Sequence, residues 1–225
     1  MNNINTTPMP TKKKLTQEHL ITFYMDDVLS EEAQAKSIYA FAKRHKFEES
    51  EFYQFFNGFD HLEEEIFAIF GRNTINMIEQ SDGYDQYETS QKILSFYFTF
   101  FEILTANRSY VLAQLNGTKD KLSSMKSLNL LRGVFTDFVE RLNVVTFDLK
   151  SDQLNKFRDK GVSASMWMQL LVIMKFWMDD RSKGFEKTDI FIEKSVKAQF
   201  DLIDTTPVQS VFDLAKFLWK ENSAV

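Results

Sequence analysis

Residues 37–62 read SIYAFAKRHKFEESEFYQFFNGFDHL, and their pattern decides the fold. Apolar residues spaced three and four apart predict two short helices, 37–45 and 49–56, each limited to about two turns by its apolar pattern. Working upstream, Leu20, Ile21, Tyr24, Met25 and Val28 recur at the same helical interval. Residues 1–14 contain Asn, Thr, Pro and Lys without periodicity and read as a disordered basic arm. Downstream, Leu62, Ile66, Phe67, Ile69, Phe70, Ile75 and Ile78 predict a long helix over 60–80, closed by the turn signal Ser81-Asp82-Gly83.

Beyond that turn the same period predicts helices near 86–105, 107–116, 119–145 and 162–181. Leu122, Met125, Leu128, Leu131, Phe135, Phe138 and Leu142 form the stripe of the third. Gly161 and Ser182-Lys183-Gly184 read as joints. Helices at 186–203 and 207–221 finish the chain, with Pro207 suited to a first helical position. No strand run is bounded by turn residues, so the chain reads as all-α with nine or ten helices.

Composition supports this reading. The chain has 225 residues, 44% hydrophobic and 26% charged, with 7 Gly and 3 Pro to interrupt helices. Its 23 Phe must fill a large core, an interface or an apolar cavity. Cys is absent, which excludes disulfides, a thiol nucleophile and Cys-ligated metal. The arm lacks the apolar stretch of a secretion signal. The most apolar run, Met166–Met178, is interrupted by Gln169 and Lys175 and is shorter than the roughly 20 residues of a membrane span. A cytoplasmic protein is expected.

The residues offer little catalytic chemistry. His19, His45 and His61 lack metal-ligand spacing, and the glycines form neither a phosphate loop nor a dinucleotide fingerprint. Glu63-Glu64-Glu65 and Asp179-Asp180 are adjacent carboxylates, which a helix points to different faces, so a solvated surface is the simpler reading. The expectation is no enzyme, no cofactor and no metal.

Residues 37–62 also resemble the helix-turn-helix head of the TetR family of bacterial regulators. Phe41-Ala42 stands where that family has Ile-Ala, and Phe47 where it has Val. Phe52-Tyr53 and Phe56 match its aromatic-Tyr-x-x-Phe, while Asp60 and Leu62 match its tail. Phe176–Asp189 is similar to the C-terminal dimerisation region of some TetR-like proteins. The resemblance implies a basic arm (1–14), a three-helix head (15–62) and a larger helical body (63–225) for ligand binding and dimerisation.

Charge departs from the family pattern. Residues 15–66 contain 12 acidic and 4 basic side chains, a net of −8 within a chain whose total is −5. The helix that should enter the major groove begins Glu48-Glu49-Ser50-Glu51, the turn glycine is Lys46, and the tail lysine is Phe59. DNA affinity rests largely on cations displacing counterions, so this head is disfavoured as a DNA reader. The residues the resemblance would place at DNA are Lys12, Lys13, Lys14, Lys43, Lys46, Ser50 and Tyr53.

For the body, the resemblance implies a cavity among 86–105, 119–145 and 162–181. Phe96, Tyr97, Phe100, Phe101, Phe135, Phe138, Trp167, Met168, Leu171 and Met174 are its candidate apolar lining. Arg132 is a candidate partner for a ligand carboxylate, or pairs with Asp137 or Glu140. Each apolar residue taken singly reads more readily as ordinary core. Met and Phe suit an adaptable site for a hydrophobic small molecule or lipid.

The run Met166–Met178 is apolar on nearly every face and needs burial on several sides. A two-fold contact with 186–203 would supply it and make a homodimer, with Met166, Leu170, Ile173, Trp177, Phe191, Ile192, Val196 and Phe200 at the interface. The stripe Val208, Val211, Phe212, Ala215, Leu218 and Trp219 packs on the body, a partner or a membrane surface. Two functions follow: a dimeric regulator sensing a hydrophobic molecule, or a descendant without DNA recognition acting as a lipid-binding or protein-interaction accessory.

Overall fold

A computed structural model describes residues 14–30, 37–116, 125–144 and 152–203. The expected basic arm up to Lys13, the 119–124 part of a predicted helix and the 207–221 helix lie outside the described residues. Nine α-helices and two short 3-10 turns are present among those described. They are α1 (Gln17–Leu29), α2 (Ile38–His45), α3 (Glu49–Phe52), α4 (Phe59–Glu79), α5 (Thr89–Ala106), α6 (Arg108–Asn116), α7 (Asn129–Arg141), α8 (Asp152–Asp179) and α9 (Glu186–Ile203). No strand occurs among the described residues. Packing divides the chain into two units, with the division between Leu62 and Glu63.

In the first unit the starts of α1 and α2 have a local chemical cause. The Thr16 hydroxyl accepts from the His19 amide at 3.3 Å, and the His19 ring accepts from the Thr16 amide at 3.3 Å. This reciprocal pair satisfies two donors that a helix start leaves free. Ser37 caps α2 through the Ala40 amide at 3.2 Å. Helix α2 ends at Lys46, which adopts the left-handed conformation (φ 60°, ψ 41°). A Cβ in that region costs roughly 1–2 kcal/mol, which is why glycine favours such a position.

Phenylalanine fills the centre of this unit. The Phe41 ring lies 5.5 Å from Phe47, 6.2 Å from Phe52 and 5.6 Å from Phe59, each edge-on. Edge-to-face geometry satisfies the ring quadrupoles while burying large apolar area. The predicted 49–56 helix is shorter than expected, because α3 ends at Phe52. Phe55 and Phe56 both donate to the Phe52 carbonyl at 3.0 Å, so the chain tightens into a turn there and still buries Phe56.

In the second unit, α8 packs on α7, and α9 packs on α5 and α8. The α5 stripe of Ile93, Phe96, Tyr97, Phe100, Phe101 and Leu104 is buried. It meets Phe135 and Phe138 of α7 and Trp177 of α8. Helices α4 and α7 approach closely at Gly71, where an added Cβ would lie 2.7 Å from the Leu131 Cδ1 and 3.3 Å from the Val134 Cγ1.

Gly161, read as a joint, lies inside α8, which runs unbroken from Asp152 to Asp179. A helical glycine costs about 1 kcal/mol against alanine, and buried neighbours such as Ser163 and Met166 hold the helix through it. The expected joint at 182–184 is present: Gly184 has φ 61° in a 3-10 turn between α8 and α9.

Candidate functional site

Three surfaces bear on function: the exposed face of the first unit, a cavity in the second, and the outer face of α8 and α9. On the first, Lys14, Lys43, Lys46 and Ser50 are exposed, while Lys12 and Lys13 lie outside the described residues. Tyr53 is exposed and its hydroxyl donates to Glu49 Oε1 at 3.4 Å. Desolvation, helped by the Glu49 charge, raises the phenol above its ordinary pKa. Glu48 and Glu51 form the reciprocal cap that starts α3. The acidic residues are thus structural to the helix they begin, as negative charge suits a helix N-terminus.

A buried carboxylate in this unit escaped the reading of the sequence. Asp27 of α1 is 5% exposed; its Oδ2 accepts from Arg44 at 2.7 Å and its Oδ1 lies 3.0 Å from His45 Nε2. Arg44, one of the few cations of the head, is therefore ion-paired to this carboxylate, although its own side chain remains 35% exposed. The signal was present, since Asp27 shares the α1 face of Leu20 and Tyr24 at spacings of seven and three.

In the second unit, the aromatic residues proposed to line a cavity instead pack on one another. Phe96 lies 5.5 Å from Phe100, 5.0 Å from Phe135 and 5.2 Å from Phe138, ring to ring. Phe101 and Trp167 are buried beside them. The Tyr97 hydroxyl donates to Gln169 Oε1 at 2.8 Å, and burial pushes its pKa upward. Arg132 and Met168 are exposed.

Leu171 and Met174 do line open space. With Leu115, Asn116, Met125, Leu128, Lys175 and Met178 they bound a partly open cavity of about 390 Å³. That size falls within the range of small-molecule sites, about 300–1,000 Å³. Among the described residues this open space is therefore beside the ends of α6 and α8, not within the aromatic cluster.

On the α8/α9 face, Met166, Leu170, Ile173 and Trp177 are fully buried within their own chain, as are Ile192 and Val196. Phe191 is half-buried and stacks on Phe176 at 4.7 Å, and Phe200 is half-buried. The residues that reach solvent are one helical step away: Met168 (60% exposed), Val172 (50%) and Leu202 (58%). They border a groove of about 650 Å³. The amide oxygen of Gln199, on the same groove, is buried without a hydrogen-bond partner.

The corner joining the two helices is built from charge. Asp180 accepts from the Ser182 amide and hydroxyl at 2.8 and 2.7 Å and from the Thr188 amide and hydroxyl at 3.0 and 2.7 Å. Desolvation raises its pKa, but these four hydrogen bonds outweigh it and hold the carboxyl down at about 2. Arg108 closes the other side: its guanidinium sits 4.3 Å from the Trp177 ring and 4.5 Å from Phe185. It donates to the Trp177 and Met178 carbonyls at 3.1 Å each, satisfying acceptors that the end of α8 leaves free.

Among the described residues, no cluster of His, Asp or Glu could hold a metal ion, and no helix is long and apolar enough to cross a membrane. The architecture is that of an all-α protein with a small N-terminal unit and a larger helical body. Residues 92–218, more than half the chain, match the family described as "Tetracyclin repressor-like, C-terminal domain". The chain belongs to this TetR-like family, whose members are transcriptional regulators. No curated protein matches the chain.

Proposed function

We propose that this chain is a ligand-responsive homodimer of the TetR-like regulators, acting in the cytoplasm, paired through α8 and α9 and sensing a hydrophobic small molecule in its helical body. One observation carries the dimer: the exposed apolar residues Met168, Val172 and Leu202 around a single groove. Contiguous apolar surface of this kind marks association sites, and a two-fold axis lets one patch serve both copies. A partner would also supply a donor for the Gln199 oxygen. Sedimentation of the full chain should give a dimer, and Met168→Glu with Val172→Lys should give a folded monomer. A monomeric parent protein would sink the reading.

A specific observation favours a second reading, in which the dimer has lost DNA recognition and serves as a lipid-binding or protein-interaction accessory. The face expected to enter the groove begins with Glu48, Glu49 and Glu51, and Arg44 is held by Asp27. Binding to random duplex and to the protein's own upstream region at low salt decides between the two. Sub-micromolar affinity supports the regulator; its absence supports the accessory, and replacing the three glutamates with lysine should then create affinity.

A further inference from the structure

We infer that the cavity between α6, residues 125–128 and α8 takes an amphipathic monoanion, a linear carboxylate whose chain lies along Leu171, Met174 and Met178 and whose charge meets Lys175. This rests on the reading that the body binds a hydrophobic ligand, and it specifies both the place and the chemistry. The walls are apolar apart from two groups among the described residues, Asn116 and Lys175. Among the described lining residues there is no carboxylate, and the one charged group is the cation Lys175.

Methionines supply three of the apolar walls, Met125, Met174 and Met178. Their unbranched thioethers adapt to a flexible chain better than to one rigid outline. The aromatic cluster nearby is filled by its own rings, so the chain has no deeper site to enter there.

The charge at the rim is available. Lys175 Nζ contacts Asp179 Oδ2 at 2.7 Å, one turn along α8, with the two side chains 70% and 68% exposed. Exposed pairs at this spacing are weak, so a ligand carboxylate anchored by its buried chain displaces Asp179 readily. Helix α8 is pinned at this end, because Met178, which lines the cavity, gives its carbonyl to Arg108. The wall therefore stays in place when the cavity fills.

The test titrates the full chain with dodecanoate, dodecanol and dodecyltrimethylammonium by calorimetry. Dodecanoate should bind one per chain and more tightly than the other two. Leu171→Trp should abolish binding by filling the cavity, its fold checked by circular dichroism. Lys175→Gln should weaken dodecanoate about three- to tenfold and leave dodecanol unchanged. Asp179→Asn should tighten dodecanoate by removing the competing carboxylate, a gain that a merely structural role would not produce. Both rim variants are at exposed positions and carry the test even where Leu171→Trp fails to fold.

Equal binding of dodecanol and dodecanoate, or rim variants without effect, overturns the anionic specificity while leaving the apolar-ligand reading in place. Failure of all three probes to bind, or binding indifferent to a folded Leu171→Trp, overturns the site and the apolar-ligand reading together.

Discussion

Asp180→Asn tests the corner between α8 and α9 most directly. In the folded chain this carboxylate receives four hydrogen bonds from Ser182 and Thr188, and its pKa falls from an ordinary 3.8 to about 2. A difference of about 1.8, at about 1.36 kcal/mol per pH unit, sets a ceiling of about 2.4 kcal/mol. Water at the corner screens part of this, so about 1–2 kcal/mol is expected. The sign follows from the depressed value. The contribution is fully present above pH 3.8 and is lost as the pH falls towards 2.

Urea unfolding from pH 7 to pH 2.5, followed by tryptophan fluorescence, measures it, since Trp177 lies three residues away against Arg108 and Phe185. At pH 7 the Asn variant should be less stable than the parent by about 1–2 kcal/mol, and the gap should close in acid. Asp180→Ala leaves four donors without an acceptor and should cost about 2–4 kcal/mol. A gap constant between pH 6 and pH 2.5, or an Asn variant as stable as the parent at pH 7, would refute the capping account.

Three further outcomes are expected. Asp27→Ala should cost about 2–4 kcal/mol, because it removes a buried carboxylate from between Arg44 and His45; thermal unfolding of the full chain reads this, and a neutral result would mean that the pair is idle. Lys46→Gly should stabilise by about 0.5–1 kcal/mol in chemical denaturation by relieving the left-handed backbone; a loss would show that the lysine side chain matters more than its φ. Gly161→Ala, in a helical position with open space around it, should stabilise by up to about 1 kcal/mol. Unfolding faster than the parent would point to a kink that α8 needs at that residue.

Much of the helical architecture is legible in the chain because apolar spacing reports which face of a helix is buried. Leu20, Phe41, Phe52 and Leu62 in the first unit are all fully buried, as the stripes require. Breakers were less faithful. Gly83 and Gly184 do sit in the turns between helices, with a positive φ of 80° and 61°, whereas Gly161 sits inside a continuous helix. A glycine makes a turn possible, but neighbours with buried side chains decide whether one forms. The site was harder to read for the same reason. Phe96 and Met174 carry equal apolar signals, yet one faces a ring from the opposite helix and the other faces open space.

The amino-acid order alone determined the helical class, the family resemblance and the acidity of the first unit, since period, motif and charge are properties of residues along one strand of chain. Tertiary structure decided where the apolar surface ends up. It closed the phenylalanines of α5 and α7 into a filled core and left the cavity at Leu171, Met174 and Lys175. It also turned Met168, Val172 and Leu202 outward while burying Met166, Leu170 and Ile173. A stripe specifies that a face must be covered. Whether a ring, a ligand or a second chain covers it depends on shapes brought together from distant parts of the sequence.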